Sequence, residues 1–338
     1  MEAYYYSKMN KLQKNVYHNI KIGLLALAPS FFVPKIDSRE LQDIFFKVRL
    51  DAPEIFYAVS YTYRMYQDAS NLEVIPEYLF EKKKIIEHQK AMKARIEKLI
   101  RPVKAMTEWE KERYIHDFIC SSVYYDKLKK PYSHEIIGPL GQGVGVCEGI
   151  AKAVKILCDK LGIWCIIAIS DSNPEKNIKY RHAWNIVQIE GVYYHIDVTF
   201  DNSLGRESII RYDYFNLSDK QFFKDHEPVI YEVPKCTLSD RFYYREKKLS
   251  FTKLEDVGKR ALQAMRKGNP LIFHWRGGYL TKEVLAELLA QLEQSAQKKE
   301  KHSQISLNWS QSILCVTFVQ KMPEKEMVIE EANEGENL

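Results

Sequence analysis

Cys147 stands where a nucleophile would. It follows the glycine-rich stretch Gly141-Gln142-Gly143-Val144-Gly145-Val146 and precedes Glu148 and Gly149. A helical pattern begins at once, with apolar residues at Ile150, Ala153, Val154, Leu157 and Leu161 on one face and Gly162 as the stop. The spacing therefore predicts a thiol in the first turn of a helix. Unpaired backbone N–H groups and the helix dipole favour an anion there, first a thiolate and then an oxyanion.

A thiol nucleophile needs a base, and the base needs an orienting partner. One predicted hairpin offers both: strands Ala183 to Ile189 and Val192 to Val198, joined by Glu190-Gly191. A two-residue turn pairs Ile189 with Val192. Continuing that register puts His182 opposite Thr199 and Trp184 opposite Asp197, so His182 and Asp197 become diagonal neighbours, about 7–8 Å apart at the backbone. Ala183, Asn185, Val187, Ile189, Val192, Tyr194, Ile196 and Val198 share the other face, which is predicted as the core. A slip of one residue would bury His182 and Asp197 on that apolar side.

The expected roles follow from chemistry. Cys147 attacks a carbonyl or amide, His182 takes and returns the proton, and Asp197 fixes the imidazole. The Cys147 N–H contributes to the oxyanion hole, with Gln142 and Tyr125 as candidates for a second donor. Trp184 is placed to cap the cleft or to pack, and His195 to touch substrate or lie in the core. Cys147, His182 and His195 are zinc-ligand types, but no short metal motif accompanies them, so no metal is expected.

These residues resemble a known family. Gly143-x-Gly145-Val146-Cys147-x-Gly149, Arg181-His182-Ala183-Trp184-Asn185 and His195-Ile196-Asp197-Val198-Thr199-Phe200-Asp201 look like the transglutaminase-like superfamily. Ile115-His116-Asp117-Phe118, Tyr124-Tyr125-Asp126 and Tyr214-Phe215-Asn216-Leu217-Ser218 with His226 also resemble its bacterial members. The resemblance covers roughly residues 110 to 230. It implies an α+β, papain-like core, with the nucleophile helix packed on an antiparallel sheet and a Cys-His-Asp triad. It implies acyl transfer on peptide or protein amides, of peptidase, amidase or transglutaminase type. The same family includes copies that have lost catalysis, so the alternative expectation for this chain is a module that binds protein or peptidoglycan peptide without turnover. Glu148 departs from the neutral residue expected beside the cysteine, and an acid there is expected to disfavour the thiolate. No cofactor is implied, and no acidic loop carries calcium-ligand spacing.

The chain around this core divides into four parts. Residues 1–105 form a helical and β extension, and residues 106–235 the catalytic core. Residues 236–320 form a small α/β domain, and residues 321–338 an acidic, disordered tail. In the first part, a helix is predicted from Tyr6 to Ala28 and another after Asp37-Ser38, capped with Glu40 and ending near Asp51. A strand follows at Ile55 to Tyr66 and a charged helix at Glu81 to Ile100. Thr107-x-x-Glu110 starts the next helix. An apolar strand is predicted at Ile163 to Ile169. The third part reads strand 249–251, helix 254–265, strand 270–275, helix 282–295 and strands 304–309 and 313–319.

Composition narrows the function. The formal charge of +5 is modest, and no Lys/Arg run interleaves with aromatics, so nucleic acid is not implied. None of the six cysteines forms a Cys-x-x-Cys pair. Cys158, Cys165 and Cys315 read as small buried hydrophobes, which fits a reducing, cytoplasmic setting. The run Ile22 to Val33 is too short to span a bilayer, and about twenty mixed polar residues precede it, so it reads as a helix end rather than a signal peptide.

Overall fold

The computed structural model describes residues 3–205 and 209–320. The predicted acidic tail, residues 321–338, lies outside the described residues. Among the described residues, no helix is long and apolar enough to cross a membrane.

The helix expected across Tyr6 to Ala28 is two helices, Tyr4–Ser7 and Lys11–Leu25. Asn10 breaks it. Its side chain accepts from Gln13 N–H while the Gln13 side chain accepts from Asn10 N–H, a capping box that starts a new helix. Asp37 caps Ser38–Asp51 through Arg39 and Glu40 N–H. The reciprocal bond expected from Glu40 does not form among the described residues, and its carboxylate takes the Gln13 amide at 2.8 Å. The strand predicted across Ile55 to Tyr66 is Ala58–Met65. It lies in a three-stranded antiparallel sheet with Asn71–Tyr78 at the centre and Phe31–Pro34 beyond, two strands the periodicity did not reveal. Helix Lys82–Ile100 follows, then Glu108–Ser122 with both halves of the Thr107–Glu110 capping box.

The central sheet has four antiparallel strands in the order Trp164–Ser170, His182–Ile189, Val192–Ile196, Phe215–Leu217. Helix Cys147–Leu161 packs against it. Asn185 marks the contact, its amide donating to Ala151 O at 3.0 Å. The sheet's other face is also covered, which the polar pattern at Trp184 and His195 did not predict. The segment after the hairpin folds back over it, and Phe222 lies 4.3 Å from the His195 ring and 5.1 Å from Trp184. Residues Tyr5, Leu50, Ala151, Ile167, Ile169 and Ala183 form a small apolar cluster behind Cys147. Through it the N-terminal segment supports the nucleophile helix.

The last unit is a four-stranded sheet in the order Ser250–Phe251, Leu271–Trp275, Ile313–Val319, His302–Asn308. Helices Leu254–Arg266 and Lys282–Gln297 pair with each other beside it. Strand alternation divides its side chains between two cores. Leu314 and Val316 face the unit's own helices, while Ile313 joins the core of the preceding residues.

Candidate active site

Position 147 is the first residue of its helix, and the preceding Val146 supplies no side-chain cap. The amino end therefore keeps its own N–H groups for an external anion. Gly149 is required by close approach: a Cβ there would overlap the Ser133 carbonyl oxygen of the segment crossing the helix start. That segment is tied down, since Val146 N–H donates to Ser133 O at 3.0 Å.

The hairpin has the predicted turn, with Glu190 and Gly191 both at positive φ, 50° and 84°. Its register runs from Ile189 opposite Val192 to Asn185 opposite Ile196 and stops there. The extrapolated pairs of His182 with Thr199 and Trp184 with Asp197 do not form, because the second strand ends at Ile196. Asp197 is instead the N-cap of helix Val198–Leu204, accepting Phe200 N–H on Oδ1 at 3.0 Å. The turn brings its other oxygen to 2.5 Å from His182 Nε2. The same imidazole neighbours Cys147, whose charge and thiol act on its titration. Sulfur, imidazole and carboxylate thus form one line at the mouth of the helix, with Cys147 half-buried and Asp197 fully buried.

The charges in this line are strongly biased. Burial disfavours the His182 cation, but Asp197 beside it and the nearby Cys147 outweigh that and push its pKa up to about 10. Burial also opposes the Asp197 anion, yet His182 and then His226 hold that carboxyl well below the usual range.

The other expected residues separate. Tyr125 is beside the site: burial, then the charges of Cys147 and Asp197, push its phenol above the ordinary value, so it remains an O–H donor at neutral pH. Gln142 ends a π-helical turn, Gly138–Gln142, and its side chain is exposed with no hydrogen bond among the described residues. Trp184 and His195 are not presented to substrate. Trp184 is 1% exposed and stacks behind the His182 ring at 5.9 Å. Its indole N–H donates to His195 Nδ1 at 3.0 Å, and His195 Nε2 lies 2.8 Å from Asp219. His195 therefore belongs to the covered sheet face and does not converge with Cys147 and His182 as a zinc ligand. One residue had no role assigned from sequence: His226, whose Nε2 lies 3.0 Å from the same Asp197 oxygen. The ligand atoms of His182, Asp197 and His226 lie within 4.8 Å of one another. Contacts of 2.5 and 3.0 Å are hydrogen-bond distances, shorter than the roughly 3.3 Å between neighbouring ligands on a tetrahedral zinc.

Residues 94–198, which contain all three residues of the line, match the family model of the transglutaminase-like superfamily. The chain carries a transglutaminase-like domain. Two solved structures are similar to it. One, described as a TGase, is 12% identical, with 67% of this chain and 66% of that chain covered and a TM-score of 0.30. The other, described as a candidate cysteine protease from Cytophaga hutchinsonii, is 15% identical, with 42% and 62% covered and a TM-score of 0.27. The chain thus spans just under two thirds of each neighbour's length. No curated protein matches it.

Within the transglutaminase-like domain, Glu148 beside the thiol is an ion-paired carboxylate. Its carboxylate meets Lys152 at 2.7 Å, Arg49 at 3.4 Å and His134 at 3.4 Å. Burial opposes its charge, but Lys152, His134 and Arg49 hold the carboxyl well below its usual range. Glu135 completes the cluster, bonding Arg49 and, at 2.8 Å, Lys152. Two cations and two anions balance behind the nucleophile.

The raised His182 also makes stability pH-dependent. A proton held more tightly in the folded state stabilises it fully below the unfolded value of 6.5, and that contribution is lost as pH rises through about 10. The urea midpoint of the transglutaminase-like domain should therefore fall progressively from pH 7 to 10, and the fall should flatten in His182→Gln. Parallel slopes in the two proteins would contradict the assignment.

Proposed function

We propose that this protein is a thiol-dependent acyl-transfer enzyme acting on peptide or protein amides. The observation that carries the reading is His182, bonded to Asp197 and neighbouring Cys147 at the uncapped amino end of a helix. His182 Nε2–H faces Asp197, which leaves Nδ1 for the thiol proton. The sulfur then adds to the amide carbonyl, and the Cys147 N–H receives the developing oxyanion. Tyr125 is the stronger candidate for the second donor, since its phenol is close enough to feel the charge of Cys147, while Gln142 is exposed. As the C–N bond breaks, the leaving amine takes the proton from His182. The thioester is then resolved by water, deprotonated by His182, or by an amine.

We favour water, because no feature among the described residues identifies an amine site. The test is a screen of glutamine-containing and ordinary peptide amides, with and without a primary amine, against Cys147→Ser as the blank. Ammonia or peptide release without amine incorporation supports hydrolysis, and incorporation supports transamidation. Turnover equal in both proteins would sink the proposal. A protein that binds these peptides and never turns them over belongs to the binding type of the same superfamily.

A further inference from the structure

Asp197 holds more than one imidazole. Oδ2 lies 2.5 Å from His182 Nε2 and 3.0 Å from His226 Nε2, while Oδ1 accepts Phe200 N–H. An ionised carboxylate only accepts, so both ring nitrogens must present N–H to it. His226 is itself fixed. Its Nδ1 lies 2.9 Å from Asp225 Oδ1, and its ring stacks on Phe222 at 3.8 Å beside Phe200 at 4.5 Å. The side chain is 2% exposed. Asp225 Oδ2 accepts the Tyr214 hydroxyl at 2.8 Å and the Gln311 amide at 3.2 Å. Gln311 belongs to the turn between the last two strands. A chain of hydrogen bonds therefore runs from the C-terminal unit through Asp225, His226 and Asp197 to His182.

We propose that His226 is a positioning residue for the Cys147–His182 pair, pinning Asp197 Oδ2 so that the carboxylate stays in line with the His182 ring. The proposal rests on the thiol chemistry proposed above. The physical reason is the soft terminal torsion of aspartate, which is broad and roughly two-fold. The Phe200 N–H fixes one oxygen. Without His226 the other is held only by the imidazole it is meant to orient. A ring placed for packing alone would need the aromatic box but no carboxylate on each nitrogen.

The experiment needs no substrate. The rate of Cys147 labelling by iodoacetamide is measured by intact mass at pH 5–9 in wild type, His182→Ala, His226→Phe and His226→Gln, with urea unfolding of each. Phenylalanine keeps the stacking and loses the donor, while the glutamine amide can replace the Nε2–H. The expected result is labelling at pH 6 slowed about threefold in His226→Phe and unchanged in His226→Gln, a split that packing alone would not produce. Labelling of His226→Phe at the wild-type rate, with His182→Ala slow, overturns the positioning role and leaves the triad standing. If His182→Ala also labels at the wild-type rate, the nucleophile reading itself fails. Should His226→Phe not fold, imidazole ¹H–¹⁵N spectra of wild-type protein decide. A His226 Nε2 that carries no proton overturns the proposal, and a protonated one supports it.

Discussion

Cys147→Ser should lower amide turnover by about a thousandfold or more, and His182→Ala should slow labelling of Cys147 at pH 6 by about tenfold. The first figure reflects the replacement of a sulfur nucleophile in a site where the members act as one unit. The second follows from protonation. An unassisted thiol with a pKa near 8.5 is about 0.3% thiolate at pH 6, so a paired base can raise the reactive fraction up to about 300-fold. The lower intrinsic nucleophilicity of a stabilised thiolate takes back more than half of that gain on a logarithmic scale. Cys120 is the internal control. It is the other half-buried cysteine among the described residues, with a histidine 3.7 Å from its sulfur, but burial pushes its thiol up. Peptide mapping that finds Cys147 no faster than Cys120, with no change in His182→Ala, would defeat the assignment of nucleophile and base together.

Glu135→Ala should destabilise the fold by about 3–5 kcal/mol. Glu135 is almost fully buried and serves Arg49 and Lys152, and the Lys152 side chain has no exposure at all. Removing it leaves two desolvated cations with one carboxylate, Glu148. The penalty is the uncompensated charge rather than the worth of one ion pair. Urea denaturation measures it, and a change below about 1 kcal/mol would mean that water reaches the cluster. Glu135→Gln should fall between the two proteins, since it keeps the shape and two lone pairs but not the charge.

Local signals made much of the fold legible. Thr107-x-x-Glu110 and the spacing from Ile150 to Leu161 located two helices because capping and periodicity act within a few residues. Glu190-Gly191 set the hairpin register for the same reason. The Asp197 error has an equally local cause. Alternation through Val198 suggested a continuing strand, whereas aspartate three residues before a free N–H is a helix start. His182 and Asp197 nevertheless meet, since ending the strand carried the carboxylate to His182. The partners of Glu148 were missed for a different reason. Lys152 at i+4 was visible in the sequence, but Arg49 lies 99 residues away and Glu135 is on a loop. His226, 29 residues beyond Asp197, had no local pattern to give it a role.

The two oxygens of Asp197 have separate tasks, one at a helix start and one toward the rings. An amide of the same shape has a single oxygen. Asparagine at this position could serve one task and would turn N–H groups against the other. Folding and reactivity are thus soldered together at one side chain, and asparagine is the cut between them: its oxygen can keep the helix start while its N–H groups cannot accept from the rings.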